Sequence, residues 1–100
     1  MTFQQLSVDD LKVLMATDTP LTVFDTRDPA AYAAGHIAQA QALNNNTLQE
    51  LLAATPTSNT VVVCCYHGIS SRAVAGWLAE QGYEHVYSLI GGYSAWSGNS

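Results

Sequence analysis

A cysteine at the end of an apolar run is the residue in this chain best suited to chemistry. Residues 61–65 read Val-Val-Val-Cys-Cys, and the polar stretch Tyr-His-Gly-Ile-Ser-Ser follows at residues 66–71. An apolar β-branched run that stops at a polar turn predicts a buried parallel strand. Ser71 is a candidate N-cap for a following helix, so Cys65 is expected between a strand end and a helix start. There the helix dipole and unpaired N–H groups favour a thiolate.

The two adjacent cysteines have different predicted roles. Cys64 continues the apolar run and is predicted to be core, whereas Cys65 meets the polar turn and is the candidate nucleophile. A small buried hydrophobe is the commoner fate of a cysteine, so the pattern by itself leaves a structural role for Cys65 open. A disulfide between these neighbours is not expected, because it requires a strained ring.

The turn after Cys65 is suited to bringing several backbone N–H groups onto one sulfur. Gly68 permits such a curl at low steric cost. His67 follows the cysteine too closely to turn back as a general base, and it is expected at the lip of the site. Ser70 and Ser71 are expected to donate hydrogen bonds to a bound oxyanion or to cap the helix.

A second charged motif follows another predicted strand. Asp25 and Arg27 come at the end of residues 21–25, and parallel strands place their carboxyl ends at one edge of a sheet. A buried ion pair that fixes the loop containing His36 is favoured over direct contact with substrate. A metal site is not expected, because the histidines and cysteines show none of the recognised zinc spacings.

Strand and helix signals alternate along the chain, which predicts an α/β fold with a mostly parallel sheet covered on both faces. Helices are expected at residues 4–16, 30–34, 47–54 and 71–81, the last with apolar positions at Ala73, Val74, Trp77 and Leu78. Strands are expected at residues 21–25, 40–43 and 86–89 and at the run that begins at Val61. A helical turn at residues 93–96 and a frayed end at residues 97–100 close the chain.

The composition limits the size of the protein and its partners. A chain of 100 residues with 48% hydrophobic content supports one domain over residues 1–100. The formal charge of −5 and the lack of any basic run argue against nucleic acid and anionic membranes as partners. No apolar run approaches the ~20 residues that span a bilayer, and no secretory signal is evident. The cytoplasm is the expected location, in agreement with cysteines that form no disulfide framework.

Three motifs in order resemble those of the rhodanese family. Residues 25–37, Asp-Thr-Arg-Asp-Pro-Ala-Ala-Tyr-Ala-Ala-Gly-His-Ile, resemble the family's N-terminal signature. Residues 65–71 resemble its active-site loop, and residues 91–96, Gly-Gly-Tyr-Ser-Ala-Trp, its C-terminal signature. The resemblance spans residues 23–96, most of the chain. The Cys-Tyr-His-Gly start of the loop and the short chain are most similar to single-domain GlpE-type thiosulfate sulfurtransferases.

The resemblance implies a five-stranded parallel sheet and a ping-pong transfer of sulfur. Cys65 would take the outer sulfur of thiosulfate, release sulfite and hold the sulfur as a persulfide. Cyanide or a dithiol, such as a thioredoxin-like or lipoyl thiol, would then accept it, with no metal or organic cofactor. A monomer or weak dimer is expected. The substrate-binding loop would consist of Tyr66, His67, Gly68, Ile69, Ser70 and Ser71.

Ile69 departs from the family pattern, which usually has a polar residue, typically asparagine, at this position. Because the loop acts mainly through its backbone, Ile69 is expected to affect substrate entry or acceptor choice more than the existence of activity. The exposed rim of Tyr66, His67 and Ile69 would be the docking surface for a protein that delivers or receives sulfur. Arg72 is expected to point away along the helix.

Two other functions remain open. Phosphatases and arsenate reductases on this architecture place an arginine six residues after the cysteine, where its guanidinium clamps a tetrahedral oxyanion. Here Ser71 has that position, and Arg72 comes one residue later. A non-catalytic interaction module is the second alternative, because a fold can persist after its chemistry is lost. The presence of Cys65 in an intact loop argues against it.

Overall fold

Five strands and five helices alternate along the part of the chain that the computed structural model describes, residues 2–98. The strands are β1 (Gln4–Leu6), β2 (Leu21–Asp25), β3 (Gln41–Ala42), β4 (Thr60–Cys64) and β5 (His85–Leu89). The helices are α1 (Val8–Met15), α2 (Pro29–Ala34), α3 (Leu48–Ala54), α4 (Ser70–Glu80) and α5 (Gly92–Gly98). All strands pair in parallel, in the order β1-β5-β4-β2-β3. The predicted α/β fold with a parallel sheet is confirmed.

The central strand β4 has its side chains alternately in two hydrophobic cores. Val62 and Cys64 belong to the core that contains Leu11 of α1. Val61 belongs to the core on the other face, together with Leu78 of α4. Helices therefore cover both faces of the sheet. A strand that is buried on both faces is a continuous apolar run, without alternating polar residues.

The predicted helix at residues 4–16 is wrong in its first part. Gln4–Leu6 form the edge strand β1, in which Leu6 lies opposite Leu89 of β5. The helix begins only after Ser7, whose side chain accepts a hydrogen bond of 3.1 Å from the backbone N–H of Asp10. Nothing local specifies a strand in so short a segment, because its pairing partner lies at the other end of the chain.

The predicted start and inner face of α4 also need correction. Ile69 occupies the N-cap position without a side-chain cap, and Ser71 lies inside the helix. The buried residues of α4 are Ser71, Ala75, Leu78 and Ala79. Ala73 and Trp77, predicted on the apolar face, are exposed. The helix is rotated so that its first turn directs Ser71 towards the end of β4. A pattern of apolar residues does not predict this contact, because the residue that makes it is polar.

The remaining elements match their predicted positions to within a few residues. Asp28 caps α2 by accepting a hydrogen bond of 2.9 Å from the backbone N–H of Ala31, and the helix ends before Gly35. The helical turn expected at residues 93–96 is part of the longer α5. The predicted frayed end is wrong for residues 97–98, which are helical, and residues 99–100 lie outside the described part. None of the helices within residues 2–98 has the length and hydrophobicity to cross a bilayer.

Candidate functional site

Cys65 lies immediately after β4 and before α4, at the carboxyl edge of the sheet. Strand β2 ends beside it, since Asp25 is opposite Cys64 in the register. Thr26 extends this pairing by donating its backbone N–H to the Cys64 carbonyl at 2.9 Å. The strand ends therefore bring the two predicted motifs to one corner of the molecule, as expected for a parallel sheet.

Two backbone N–H groups converge on the sulfur of Cys65. Gly68 donates to Cys65 Sγ at 3.1 Å, and Ser71 donates at 3.3 Å. The first turn of α4 adds the positive end of its dipole. The cysteine is only 2% exposed, so these donors act on a sulfur largely shielded from water. Such an arrangement stabilises a sulfur anion.

The pKa values of the two cysteine thiols are shifted in opposite directions. Burial raises the pKa of the Cys65 thiol, but hydrogen bonds from the Ser70 and Ser71 side chains and from the Ser71 and Gly68 backbones outweigh it and lower the pKa to about 7. Burial and the Asp25 carboxylate raise the pKa of the Cys64 thiol to about 12. Cys64 is fully buried, so its predicted place in the core is confirmed.

The path of the loop depends on two glycines with positive φ. Gly68 has a φ of 83°, and a Cβ there would lie 2.6 Å from the backbone nitrogen of Gly91. Gly92 has a φ of 58°, and a Cβ there would collide with the carbonyl oxygen of Cys65. The loop and the start of α5 thus pack backbone against backbone, which only glycine permits.

The start of α5 also holds the loop by hydrogen bonds. The backbone N–H of Tyr93 donates to the Cys65 carbonyl at 2.7 Å, and that of Ser94 donates to the Tyr66 carbonyl at 3.0 Å. Two otherwise unpaired N–H groups at a helix start are satisfied in this way. The Gly-Gly-Tyr-Ser motif therefore acts on the site as a support for the loop.

The side chains of the loop point away from one another. Tyr66 donates its hydroxyl to Asp28, and His67 Nδ1 lies 3.1 Å from the Ser94 hydroxyl. Ile69 is 69% exposed. His67 is at the exposed lip, as predicted. Of the six predicted substrate-binding residues, Gly68 and Ser71 donate backbone N–H groups to the sulfur.

Arg72 does not follow the expectation that it points away along the helix. Its Nε donates to the Gly68 carbonyl at 3.1 Å, so the side chain turns back to the loop. This carbonyl belongs to the same residue whose N–H contacts Cys65 Sγ. Arg72 therefore holds the loop at Gly68 through the peptide unit that follows this N–H, a role that its distance from the cysteine in sequence did not indicate.

Asp25 and Arg27 form the predicted buried ion pair. Arg27 Nη2 lies 2.7 Å from Asp25 Oδ2, and both side chains are almost inaccessible to solvent. The same nitrogen donates to the Gly35 carbonyl at 2.6 Å, which fixes the loop before His36 as expected. The guanidinium carbon lies 3.9 Å from the centre of the Tyr93 ring. The pair thus supports α5 and, through it, the cysteine loop.

Ser88 is a member of the site that the sequence analysis missed. It is fully buried in β5, and its hydroxyl lies 2.7 Å from the hydroxyl of Ser71. A serine between hydrophobic residues in a predicted buried strand was the available signal, because a buried hydroxyl requires a partner.

An uncharged groove of about 330 Å³ lies at the same corner of the molecule. It is lined by Thr26, Leu43, Asn44, Asn45, Leu48, Ala73, Val74 and Trp77. Thr26 donates its hydroxyl to the Cys64 carbonyl at 3.1 Å, so one end of the groove reaches the residue before the reactive cysteine. The exposed Trp77 forms part of the groove lining.

The geometry suits a single sulfur anion better than a tetrahedral oxyanion. Two backbone donors meet at one atom, whereas an oxyanion clamp uses a bidentate guanidinium. Arg72 is engaged with the Gly68 carbonyl and Arg27 with Asp25. Within residues 2–98, no group of three or more His, Cys, Asp or Glu side chains is arranged to hold a metal ion.

Comparison with known proteins agrees with this geometry. A family model for the rhodanese-like domain matches residues 7–99. The chain is 44% identical over 94 residues to the thiosulfate sulfurtransferase GlpE of Shewanella oneidensis, covering 94% of this chain and 92% of that protein. It is 36% identical over 96 residues to the protein of the same name from Pseudoalteromonas translucida, covering 96% and 90%.

A solved structure shows the same fold. The crystal structure of a rhodanese-like domain protein from Staphylococcus aureus has a TM-score of 0.81 against this chain at 23% identity. The similarity covers 94% of this chain and 91% of that one.

Proposed function

Because this chain belongs to the rhodanese family, we propose that it is a thiosulfate sulfurtransferase that carries sulfur as a persulfide on Cys65. The observation that supports this most directly is the convergence of the Gly68 and Ser71 N–H groups on Cys65 Sγ. A pKa of about 7 makes a large part of the thiol anionic at neutral pH. A thiolate is the nucleophile that the reaction requires.

The reaction proceeds in two displacements at sulfur. The Cys65 thiolate attacks the outer sulfur of thiosulfate, a new S–S bond forms, and the original S–S bond breaks with its electron pair leaving on sulfite. The persulfide that remains is again an anion. The acceptor's nucleophile then attacks the outer sulfur, and the Cys65 thiolate is released for the next cycle. No net oxidation or reduction of the enzyme takes place over the cycle.

The loop supplies the donors for both anions. The N–H groups of Gly68 and Ser71 contact the Cys65 sulfur and lie at the base of the site. Fixed N–H groups need no reorganisation when charge moves from one sulfur to the next. Tyr66, His67 and Ile69 form the exposed rim that substrate and acceptor pass.

The acceptor is cyanide or a dithiol. The nearly inaccessible sulfur of Cys65 requires a small or narrow acceptor, and the exposed Ile69 offers an apolar contact to the carrier of a thiol. One domain over residues 1–100 is sufficient for this activity, as a monomer or weak dimer. A cytoplasmic location keeps the thiol reduced between cycles.

Intact-mass spectrometry tests the function. The protein is measured alone, after thiosulfate, and after thiosulfate followed by cyanide. We expect a gain of about 32 Da, one sulfur atom, on the nucleophile, and we expect cyanide to remove it. Cys64→Ser should give the same adduct and Cys65→Ser none. A protein that gains no sulfur would contradict the proposal and favour an interaction module.

The role of the rim is tested separately. Ile69→Asp places a charge where the dianionic donor and a thiol carrier pass, whereas Ile69→Asn restores the usual polarity of the family. We expect the aspartate to change the preference between cyanide and a dithiol acceptor while the sulfur adduct still forms. An unchanged preference in Ile69→Asp would show that the rim has no part in acceptor choice.

A further inference from the structure

Two serine hydroxyls form a buried pair beneath the loop. Ser71 Oγ and Ser88 Oγ lie 2.7 Å apart, and both residues have no exposed surface. Ser71 belongs to the first turn of α4, and Ser88 to β5. The pair therefore joins the helix that faces Cys65 to the neighbouring strand of the sheet.

Ser71 connects this pair to the sulfur. Its backbone N–H donates to Cys65 Sγ at 3.3 Å, while its hydroxyl lies 2.7 Å from that of Ser88. Because a buried hydroxyl that loses its hydrogen-bond partner is costly, the pair fixes the first turn of α4 against β5.

We propose that Ser88 is a positioning residue, whose hydroxyl holds Ser71 so that the Ser71 backbone N–H stays directed at the sulfur of Cys65. The relay runs from the Ser88 hydroxyl through Ser71 to the cysteine. Hydrogen bonds from Ser71 are also among the causes of the lowered pKa of Cys65.

This proposal rests on the proposed function, yet it is tested in the absence of substrate. The thiolate of Cys65 is titrated by its ultraviolet absorbance in the intact protein, with Cys65→Ser as the blank. Ser88→Ala should raise the Cys65 pKa by about half to one pH unit, less than the roughly one to two units of a direct hydrogen bond to a charged group, because Ser88 acts through Ser71. Thiosulfate turnover below neutral pH should fall accordingly and recover at higher pH.

A double-mutant cycle separates the relay from general loosening of the site. Ser88 acts through Ser71, so the double variant Ser71→Ala/Ser88→Ala should have the same Cys65 pKa as Ser71→Ala alone. Thr55→Val is the matched control, because it removes a buried hydroxyl that donates at 2.7 Å to the Leu51 carbonyl, away from the cysteine loop. It should leave the Cys65 pKa unchanged.

The outcomes that would overturn the relay are specific. An unchanged Cys65 pKa in Ser88→Ala contradicts it, as do additive shifts in the double variant. If Ser88→Ala does not fold, Ser88→Thr and Ser88→Val repeat the test at nearly equal volume, and only Ser88→Val should raise the pKa. A normal sulfur adduct together with an unchanged pKa overturns the relay alone, whereas a missing adduct in the wild type overturns the function.

Discussion

The ends of β2 and β4 lie side by side, and they use polar groups in opposite ways. At the end of β2, the charges of Asp25 and Arg27 neutralise each other in a buried pair. At the end of β4, two backbone N–H groups of the loop converge on the sulfur of Cys65. The first arrangement is complete by itself, and the second becomes complete only when the sulfur is an anion.

This difference separates a structural site from a reactive one at the same sheet edge. A buried charge with a matched partner has little tendency to react, and its loss is expected to unfold the protein. Donors directed at an ionisable thiol lower its pKa and prepare a nucleophile. The two ends are also connected, because Arg27 stacks on Tyr93 and the Tyr93 N–H holds the Cys65 carbonyl.

The largest expected effect is the loss of turnover in Cys65→Ser. Without the thiolate, thiosulfate turnover should fall by about a thousandfold or more, as it does when other enzymes lose their nucleophile. The urea midpoint at neutral pH should change little, because the hydroxyl fits the space of the thiol. Steady-state turnover and urea unfolding measure the two quantities. Turnover well above background would assign the chemistry to another residue.

At the end of β2 we expect substitutions to lower the stability of the fold more than the rate of turnover. Arg27→Met leaves the Asp25 carboxylate buried without its partner, which should lower the free energy of unfolding by about 3–5 kcal/mol. The double variant Asp25→Asn/Arg27→Met removes the charge and should recover part of this loss. Urea unfolding measures both. A fully stable Arg27→Met with greatly reduced turnover would instead place Arg27 in the reaction.

The pH dependence sharpens the contrast. Cys65 ionises with a pKa of about 7. The rate of persulfide formation should therefore fall about tenfold per pH unit below pH 7 and become constant above it. The pKa is lower in the folded protein than the ordinary value of 9.0. This thiol therefore stabilises the fold above pH 9, by about 2–3 kcal/mol, and the contribution is lost as the pH falls through 7.

The measurement compares urea unfolding of the wild type and Cys65→Ser at pH values between 6 and 9. The advantage of the wild type should increase with pH over this range. A flat difference would mean that the loop does not favour the thiolate. The contribution of Cys64 to stability has the opposite pH dependence. The pKa of this thiol is raised to about 12, so the folded state favours the neutral thiol. Its contribution to stability is therefore lost at strongly alkaline pH.

The smallest effect is expected for Cys64→Ser. A hydroxyl in place of this buried thiol needs a hydrogen-bond partner among hydrophobic neighbours, so the free energy of unfolding should fall by about 1–3 kcal/mol. Turnover should remain close to that of the wild type. Unfolding and turnover are measured on the same preparation as Cys65→Ser. Equal losses of turnover in the two cysteine variants would remove the distinction between core and site.

The local signals that succeeded were those that need no distant partner. The run at residues 61–65 specified a strand, Asp28 before Pro29 specified the start of α2, and Gly68 specified a curled loop. Each of these depends on backbone preferences or periodicity within a few residues. The edge strand β1 and the rotation of α4 failed because each depends on contact with a segment far away in the sequence.

The sequence by itself determined the fold class, the ion pair of Asp25 and Arg27, and the different surroundings of Cys64 and Cys65. These follow from apolar periodicity and from the place of polar residues at strand ends. Only the tertiary structure decided which loop groups reach the sulfur and that Ser88 lies beneath Ser71. Those contacts depend on distances and directions between separate elements, and directions are set by packing and not by local sequence.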